Sequence, residues 1–204
     1  RSILNFSATG DTEDTNLLYS LNVNAGGDLF FLHETGAGTD VRHEVATGLA
    51  TDIWYHVAAV RDDTAQTIRL YVNGQEVGTA FDYSGLGSAT GGEAGSLVIG
   101  ANANSTEVMD GQMFDLRIYD TARSEADIQS DMTMLPDGTE TNLVAAYPLT
   151  GSDGSTVQEI VAGNDGTFFA TSFEITPTFG LTNPFQTAED STLTGRIEVA
   201  DFDG

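Results

Sequence analysis

Residues 53–79 read IWYHVAAVRDDTAQTIRLYVNGQEVGT, two extended runs joined by a polar connection and closed by a reverse turn. In residues 68–72, Ile68, Leu70 and Val72 fall on one face and Arg69 and Tyr71 on the other, the period of two of a strand. Asn73-Gly74 separates that run from Gln75-Glu76-Val77. Asn-Gly accepts positive φ at both central positions of a type I′ turn, so the stretch predicts a β-hairpin. Leu97-Val98-Ile99-Gly100 forms a further strand pattern ahead of a polar loop. Gly111 to Asp120 forms another, with Phe114, Leu116 and Ile118 on one face.

Outward from the hairpin the same grammar continues. Residues 3–6 and 17–23 read as strands, with Leu17, Tyr19, Leu21 and Val23 alternating with polar or small partners. Between them lies a polar loop, Gly10 to Asn16, with three carboxylates. Asn24 to Asp28 and Gly36 to Asp40 are turns around a strand at Leu29–His33, and residues 41–47 form the strand that precedes the hairpin. Ser124 is an N-cap with Asp127 at the capping-box position, which predicts one short helix near residues 124–132. Leu143 to Leu149 returns to strand pattern, and Thr176-Pro177 to Asn183-Pro184, residues 176–186, reads as a linker. The fold class is therefore all-β, an antiparallel β-sandwich. Its inward residues are expected to include Leu21, Trp54, Val57 or Ala58, Leu70, Val72, Ile99, Phe114, Leu116 and Ile118.

Composition narrows the function. Thirty-one acidic residues face seven basic ones, a formal charge of −24, and there is no cysteine. All seven basic residues are arginine. Nucleic acid is disfavoured as a partner, because phosphate contacts need a cationic face, and an anionic membrane surface is disfavoured likewise. No apolar run approaches membrane-spanning length. The acidity has two readings, general solubility in a screening medium or carboxylate clusters that hold Ca²⁺, a hard cation that takes oxygen ligands. Without cysteine neither disulfides nor thiolate metal sites arise.

The words WYHVAAV, RLYVNGQEVGT, LVIGANAN and GQMFDLRIYDTARSEADIQ, in that order and spacing, resemble the laminin-G-like, or concanavalin-A-like, jelly roll. The resemblance covers about two thirds of the chain, Ile3 to Met132. It implies a jelly roll over residues 1–175 whose opening strands are missing upstream. Leu143 to Leu149, with Gly163 to Phe169, resembles a flanking motif expected to close the sheet. The tail, residues 187–204, resembles the start of a following bacterial cadherin-like or immunoglobulin-like repeat of a surface adhesin.

Pentraxin-like members of this family hold Ca²⁺ between the loop after an early strand and the loop after the Ile-Gly strand. The resemblance thus implies a metal site from Asp14 and Asn16 in the first loop and Asn102, Asn104, Glu107 and Asp110 in the second. Amides stand where acids are usual at the start of the second loop, which implies weaker binding. Asp115, Asp153 and Asp165 form a second acidic set, balanced against an Asx-turn role for Asp165. Glu189, Asp190, Asp201 and Asp203 form a third, at the boundary with the following repeat. Trp54 and His56 invite a sugar-binding reading, but the hairpin register is taken to turn them inward. His33 and His43 are too loosely spaced to argue for a metal. Asn5-Phe6-Ser7 and Asn104-Ser105-Thr106 are glycosylation sequons of a kind common by chance.

Catalysis finds little support. No Glu-x-Asp-x-x-Glu run of the kind glycosidases of this fold carry is present, and no nucleophile elbow. The leading expectation is a non-enzymatic, calcium-dependent adhesion or ligand-recognition module of a large secreted bacterial surface protein. It would lie outside the cell and bind a glycan or another cell-surface ligand, next to further domains of its own chain. One alternative is a structural scaffold that positions a neighbouring or inserted ligand-binding domain. The other is a glycosidase of the same fold.

Overall fold

A computed structural model of the chain describes residues 1–8, 17–35, 39–87, 95–149 and 156–167, and the backbone of 190–199. The strands are β1 (Ser2–Ala8), β2 (Leu17–Val23), β3 (Leu29–Glu34), β4 (Asp40–Val45), β5 (Trp54–Asp62), β6 (Thr67–Val72), β7 (Gln75–Asp82), β8 (Gly95–Ile99) and β9 (Gly111–Tyr119). The one helix among the described residues, α1 (Glu125–Asp131), is followed by β10 (Leu143–Tyr147), β11 (Thr156–Val157), β12 (Gly166–Thr167) and β13 (Asp190–Val199). The main sheets are antiparallel. One runs β4-β3-β2-β1-β8 and the other β10-β9-β13-β5-β6-β7.

Their inner faces make one core. Leu4, Phe6, Tyr19, Leu21, Val23, Leu29, Phe31, Leu97 and Ile99 come from the first sheet. Val57, Ala59, Ile68, Leu70, Leu116, Ile118 and Tyr147 come from the second. These side chains leave water almost completely, and the hydrophobic effect scales with that area. The hairpin forms as its sequence requires: Asn73 and Gly74 have φ of 51° and 76°, and β6 pairs with β7 across them. The Asn73 side chain also accepts the His56 N–H at 3.0 Å, which ties the turn to β5.

Helix α1 packs on the outer face of the second sheet, where Ile128 meets Ala58, Val60 and Tyr71. The capping box is present, with the Asp127 N–H donating to Ser124 and the Ser124 N–H donating to Asp127. This placement explains why residues 57–60 carry no alternation. Val57 and Ala59 face the sandwich core, and Ala58 and Val60 face the helix, so both parities are apolar. The register of the first residues of β5 then follows from parity. Tyr55 turns inward, and Trp54 stands on the outer face, 47% exposed, against the expectation that it is core.

A second correction concerns Phe114. Between Thr194 and Arg196 the β13–β9 ladder slips, and Asp115 sits at φ 59°. This bulge reverses the parity of β9. Met113 before it and Leu116 and Ile118 after it pack on the core, and Phe114 is left half-buried on the other face. Val72 packs against the core while staying partly exposed.

The tail departs most from the sequence reading. The stretch assigned to a following repeat supplies β13, hydrogen-bonded between β5 and β9 along its length, from Asp190 opposite Asp62 to Glu198 opposite Trp54. Its period-two pattern suits any half-buried strand, and here it satisfies two strand edges that would otherwise stay open. β10 pairs with the far side of β9, as expected of a closing strand. Gly166 and Thr167 instead join β11 in a separate two-stranded ribbon. Among the described residues no helix is long and apolar enough to cross a membrane.

Candidate functional site

The loop after β8 is built by its own side chains. Gly100 donates its N–H to the Ile3 carbonyl at 2.9 Å, and Met109 returns to the Gly100 carbonyl at 2.7 Å, so residues 100–109 form a closed excursion. Asn102, 6% exposed, organises it. Its Oδ1 accepts the N–H groups of Thr106 at 2.8 Å and Glu107 at 2.9 Å, and its Nδ2 donates to Thr106 Oγ1. Asn104 Oδ1 accepts the Thr106 N–H at 3.1 Å and its hydroxyl at 2.5 Å. Both amide oxygens proposed as metal ligands are therefore engaged as acceptors within the loop.

Glu107 and Asp110 are exposed and enter no salt bridge among the described residues. Asp14 and Asn16 lie outside the described residues. Among the described residues no group of three or more acidic, histidine or cysteine side chains is arranged to hold a metal. Two carboxylates alone do not fit the six to eight oxygens that Ca²⁺ takes.

The second acidic set is dispersed. Asp115 is buried and gripped by Arg117. Asp165 Oδ1 accepts the Glu159 N–H at 3.0 Å, a backbone role, and Asp153 lies outside the described residues. Glu159, which the sequence reading passed over, is the organising acid of this region. It is 4% exposed, and its oxygens accept the N–H groups of Ala146, Val161, Ala162 and Asn164 at 3.0, 2.8, 2.7 and 3.3 Å. In the third set Asp190 stands in β13, and Glu189, Asp201 and Asp203 lie outside the described residues.

A buried polar cluster also escaped the sequence reading. Arg61 and Tyr83 both donate to Asp63 Oδ1, at 2.5 and 2.7 Å. The Arg61 guanidinium lies 5.4 Å from the Tyr83 ring centroid, and His33 meets that ring edge-on at 5.1 Å. Burial, and to a lesser degree the Arg61 charge, pulls the His33 imidazole down to about 4. It is neutral at ordinary pH. His33, Arg61 and Tyr83 are buried and Asp63 is the partly exposed member, so the cluster's place is structural.

Among the described residues, two surfaces stand out that a ligand can reach. One is an apolar concavity of about 340 Å³ lined by Val45, Leu49, Tyr55, Val72, Val77 and Gly78, between the edge strands β4 and β7. Its nearest hydroxyls are engaged: Thr47 donates to the Gly27 carbonyl, and Tyr55 accepts the Ala50 N–H. It offers little to orient a ligand. The other is the outer face of the second sheet beyond α1. Trp54 and Gln112 flank Glu198 of β13 in register, and His56 and Phe114 flank Arg196. Cross-strand partners share a face. Trp54 and Gln112 are thus exposed on one face, two strand spacings apart, about 9.5 Å, with half-buried Phe114 and buried His56 behind them.

A family model of the concanavalin A-like lectin/glucanases superfamily matches residues 2–129, more than half of the chain. The chain belongs to that superfamily. The matched region runs from β1 through most of α1 and so contains the apolar concavity and, on the outer face, Trp54, His56, Gln112 and Phe114, but not β13. Curated proteins give no match to the chain, and neither do solved structures.

Proposed function

We propose that this concanavalin A-like domain is a non-enzymatic recognition or adhesion module of a large secreted bacterial surface protein, and that it takes a glycan or another surface ligand on the Trp54 face. The observation that carries the reading is the exposure of Trp54. An indole is the largest apolar surface a single side chain can offer, and its flat face stacks on ligand C–H groups and rings. Aromatic anchors of this kind dominate binding energy where they are buried on association. Gln112 on the same face adds an amide donor and acceptor to orient a hydroxylated ligand. The lack of a glycosidase carboxylate run in the sequence favours binding over hydrolysis.

Calcium enters as part of the proposal. Glu107 and Asp110 supply two carboxylates, and the site requires Asp14 and Asn16 from the preceding loop to reach the oxygen count of Ca²⁺. The test uses the fact that Trp54 is the only tryptophan. Its emission is titrated with soluble glycans chosen from an array that is probed with calcium and with EDTA. The expected result is a saturable spectral change in the wild-type chain, and array binding that Trp54→Ala abolishes while the melting temperature holds. An array silent under both conditions removes glycans as the ligand of this face. Binding indifferent to EDTA removes calcium from it.

A further inference from the structure

The position of β13 sets up a second kind of interaction. β5 and β9, the two walls that hold it, both lie in the region matched by the superfamily model, whereas β13 lies beyond it. It pairs antiparallel with β5 from Asp190 to Glu198 and with β9 from Thr192 to Val199. Without it the second sheet would present two facing open edges one strand apart. Unpaired ladders of that kind accept an extended segment by main-chain hydrogen bonding.

The strand reaches the slot through 22 residues, 168–189. Fully extended, that length spans up to about 75 Å. A compact domain of this size is only about 43 Å across, taking a radius of gyration near 17 Å. The connection is therefore covalently long enough to deliver the strand to a neighbouring molecule. We propose that β13 is an exchangeable strand, and that the slot between β5 and β9 accepts the same strand from a second copy of this chain.

The hydrogen bonds of the slot are the same in either arrangement, so the choice is one of effective concentration. A strand carried on the same chain competes at an effective concentration on the order of millimolar. The closed single chain prevails in dilute solution, and exchange prevails where copies are crowded to millimolar levels. Identical elements traded between protomers are a low-cost route to assembly.

The absence of native cysteine makes the test direct. Ala58 and Thr194 are register partners, and Thr139 is exposed elsewhere. Chains of residues 1–204 carrying Ala58→Cys and Thr194→Cys separately are mixed, unfolded, refolded together at micromolar and at millimolar concentration, and oxidised. Exchange predicts a covalent heterodimer that grows with concentration and exceeds that formed when Thr139→Cys replaces Thr194→Cys. A heterodimer no more abundant than this control at millimolar concentration overturns the proposal. The double variant Ala58→Cys/Thr194→Cys, kept dilute, is expected to close a disulfide within one chain. Failure to do so also overturns it, because the strand would then not occupy the slot. Should Ala58→Cys disturb packing under α1, Asp62→Cys with Asp190→Cys repeats both arms at the rim of the sheet.

Discussion

Arg117 grips Asp115 with two parallel hydrogen bonds, Nε to Oδ1 at 2.7 Å and Nη2 to Oδ2 at 2.9 Å, with both side chains 3% exposed. The pair straddles the β9 bulge. The same guanidinium donates to the Met134 carbonyl and lies 3.5 Å from Asp131, which Arg123 holds in turn at 2.8 Å. The network therefore joins β9 to the end of α1 and the segment after it.

Breaking one side of that pair leaves a buried charge without its partner. Arg117→Met is expected to cost about 3–5 kcal/mol, and Asp115→Asn a similar amount. Asp115 carries the second burden of positive φ, which asparagine tolerates, so Asp115→Asn isolates the charge from the bulge. Urea unfolding of the three chains gives the comparison. A loss below about 1 kcal/mol in both variants would show the pair to be as weak as a surface ion pair.

Gly27 and Gly48 separate strain from crowding. Both have positive φ, 79° and 55°. A Cβ on Gly27 would stand 2.3 Å from the Leu49 carbonyl oxygen and 2.8 Å from its nitrogen, whereas one on Gly48 meets nothing within 4 Å. Gly48→Ala is expected to cost about 1–2 kcal/mol, the left-handed backbone alone. Gly27→Ala is expected to cost more and to lower the melting temperature by roughly an additional 4 °C or more, since backbone atoms must move. Equal shifts in the two variants would refute the close approach.

The hairpin, the helix cap and most core positions were legible because they depend on local chemistry. Asn73-Gly74 fixes its turn through φ, and Ser124 with Asp127 fixes a helix start through hydrogen bonds three residues apart. Trp54 and Phe114 were misplaced because parity is a tertiary property. The helix makes both faces of Val57–Val60 apolar, and one residue at Asp115 flips everything before it. In the tail, the alternation of residues 190–199 says that a strand forms and nothing about which neighbours it takes. In the proposed metal rim, Asn102 had the right ligand atoms, but the two backbone N–H groups that occupy them are invisible without the loop's closure. Glu159 and Asp63 had no signal in the sequence, since single acids gain their roles from groups that only the fold assembles.

His33 predicts a pH window. The folded chain holds it neutral until about 4, and the unfolded chain protonates it near 6.5. Above 6.5 the stability is complete. As pH falls from 6.5 to 4 the unfolded state gains a proton that the folded state refuses, and stability declines, levelling off below 4. The decline reaches on the order of 3 kcal/mol. Arg61, Asp63, Tyr83 and Tyr19 surround the group, and Arg61 adds to the resistance to a second positive charge. His33→Phe keeps an aromatic ring against Phe31 and Tyr83 and removes the titration. Its stability is expected to stay flat relative to wild type across pH 6.5–4. Parallel curves for the two proteins would exclude His33 as the source.

Calcium gives the last prediction. A chain with a formal charge of −24 repels itself, and an ion held by several carboxylates relieves that repulsion only where the folded chain brings them together. Linkage sets the gain at RT ln(1 + [L]/Kd), roughly 2.7 kcal/mol at a hundredfold excess over Kd. At roughly 2–4 °C per kcal/mol for a domain of this size, saturating calcium is expected to raise the melting temperature by about 5–10 °C. Sodium chloride at matched ionic strength should do less, because screening acts weakly on every charge and coordination strongly on a few. Asp14→Ala and Glu107→Gln should each reduce the calcium-specific part if the rim is the site, whereas Asn102→Asp tests the amide directly. A carboxylate there would strengthen the ion's hold if Asn102 can turn outward. It would leave the calcium shift unchanged if its oxygens stay on the Thr106 and Glu107 N–H groups. No calcium-specific shift in the wild-type chain would remove the metal from the proposal and leave the acidity as a solubility device. A shift that survives Asp14→Ala and Glu107→Gln unchanged would place the ion away from the rim.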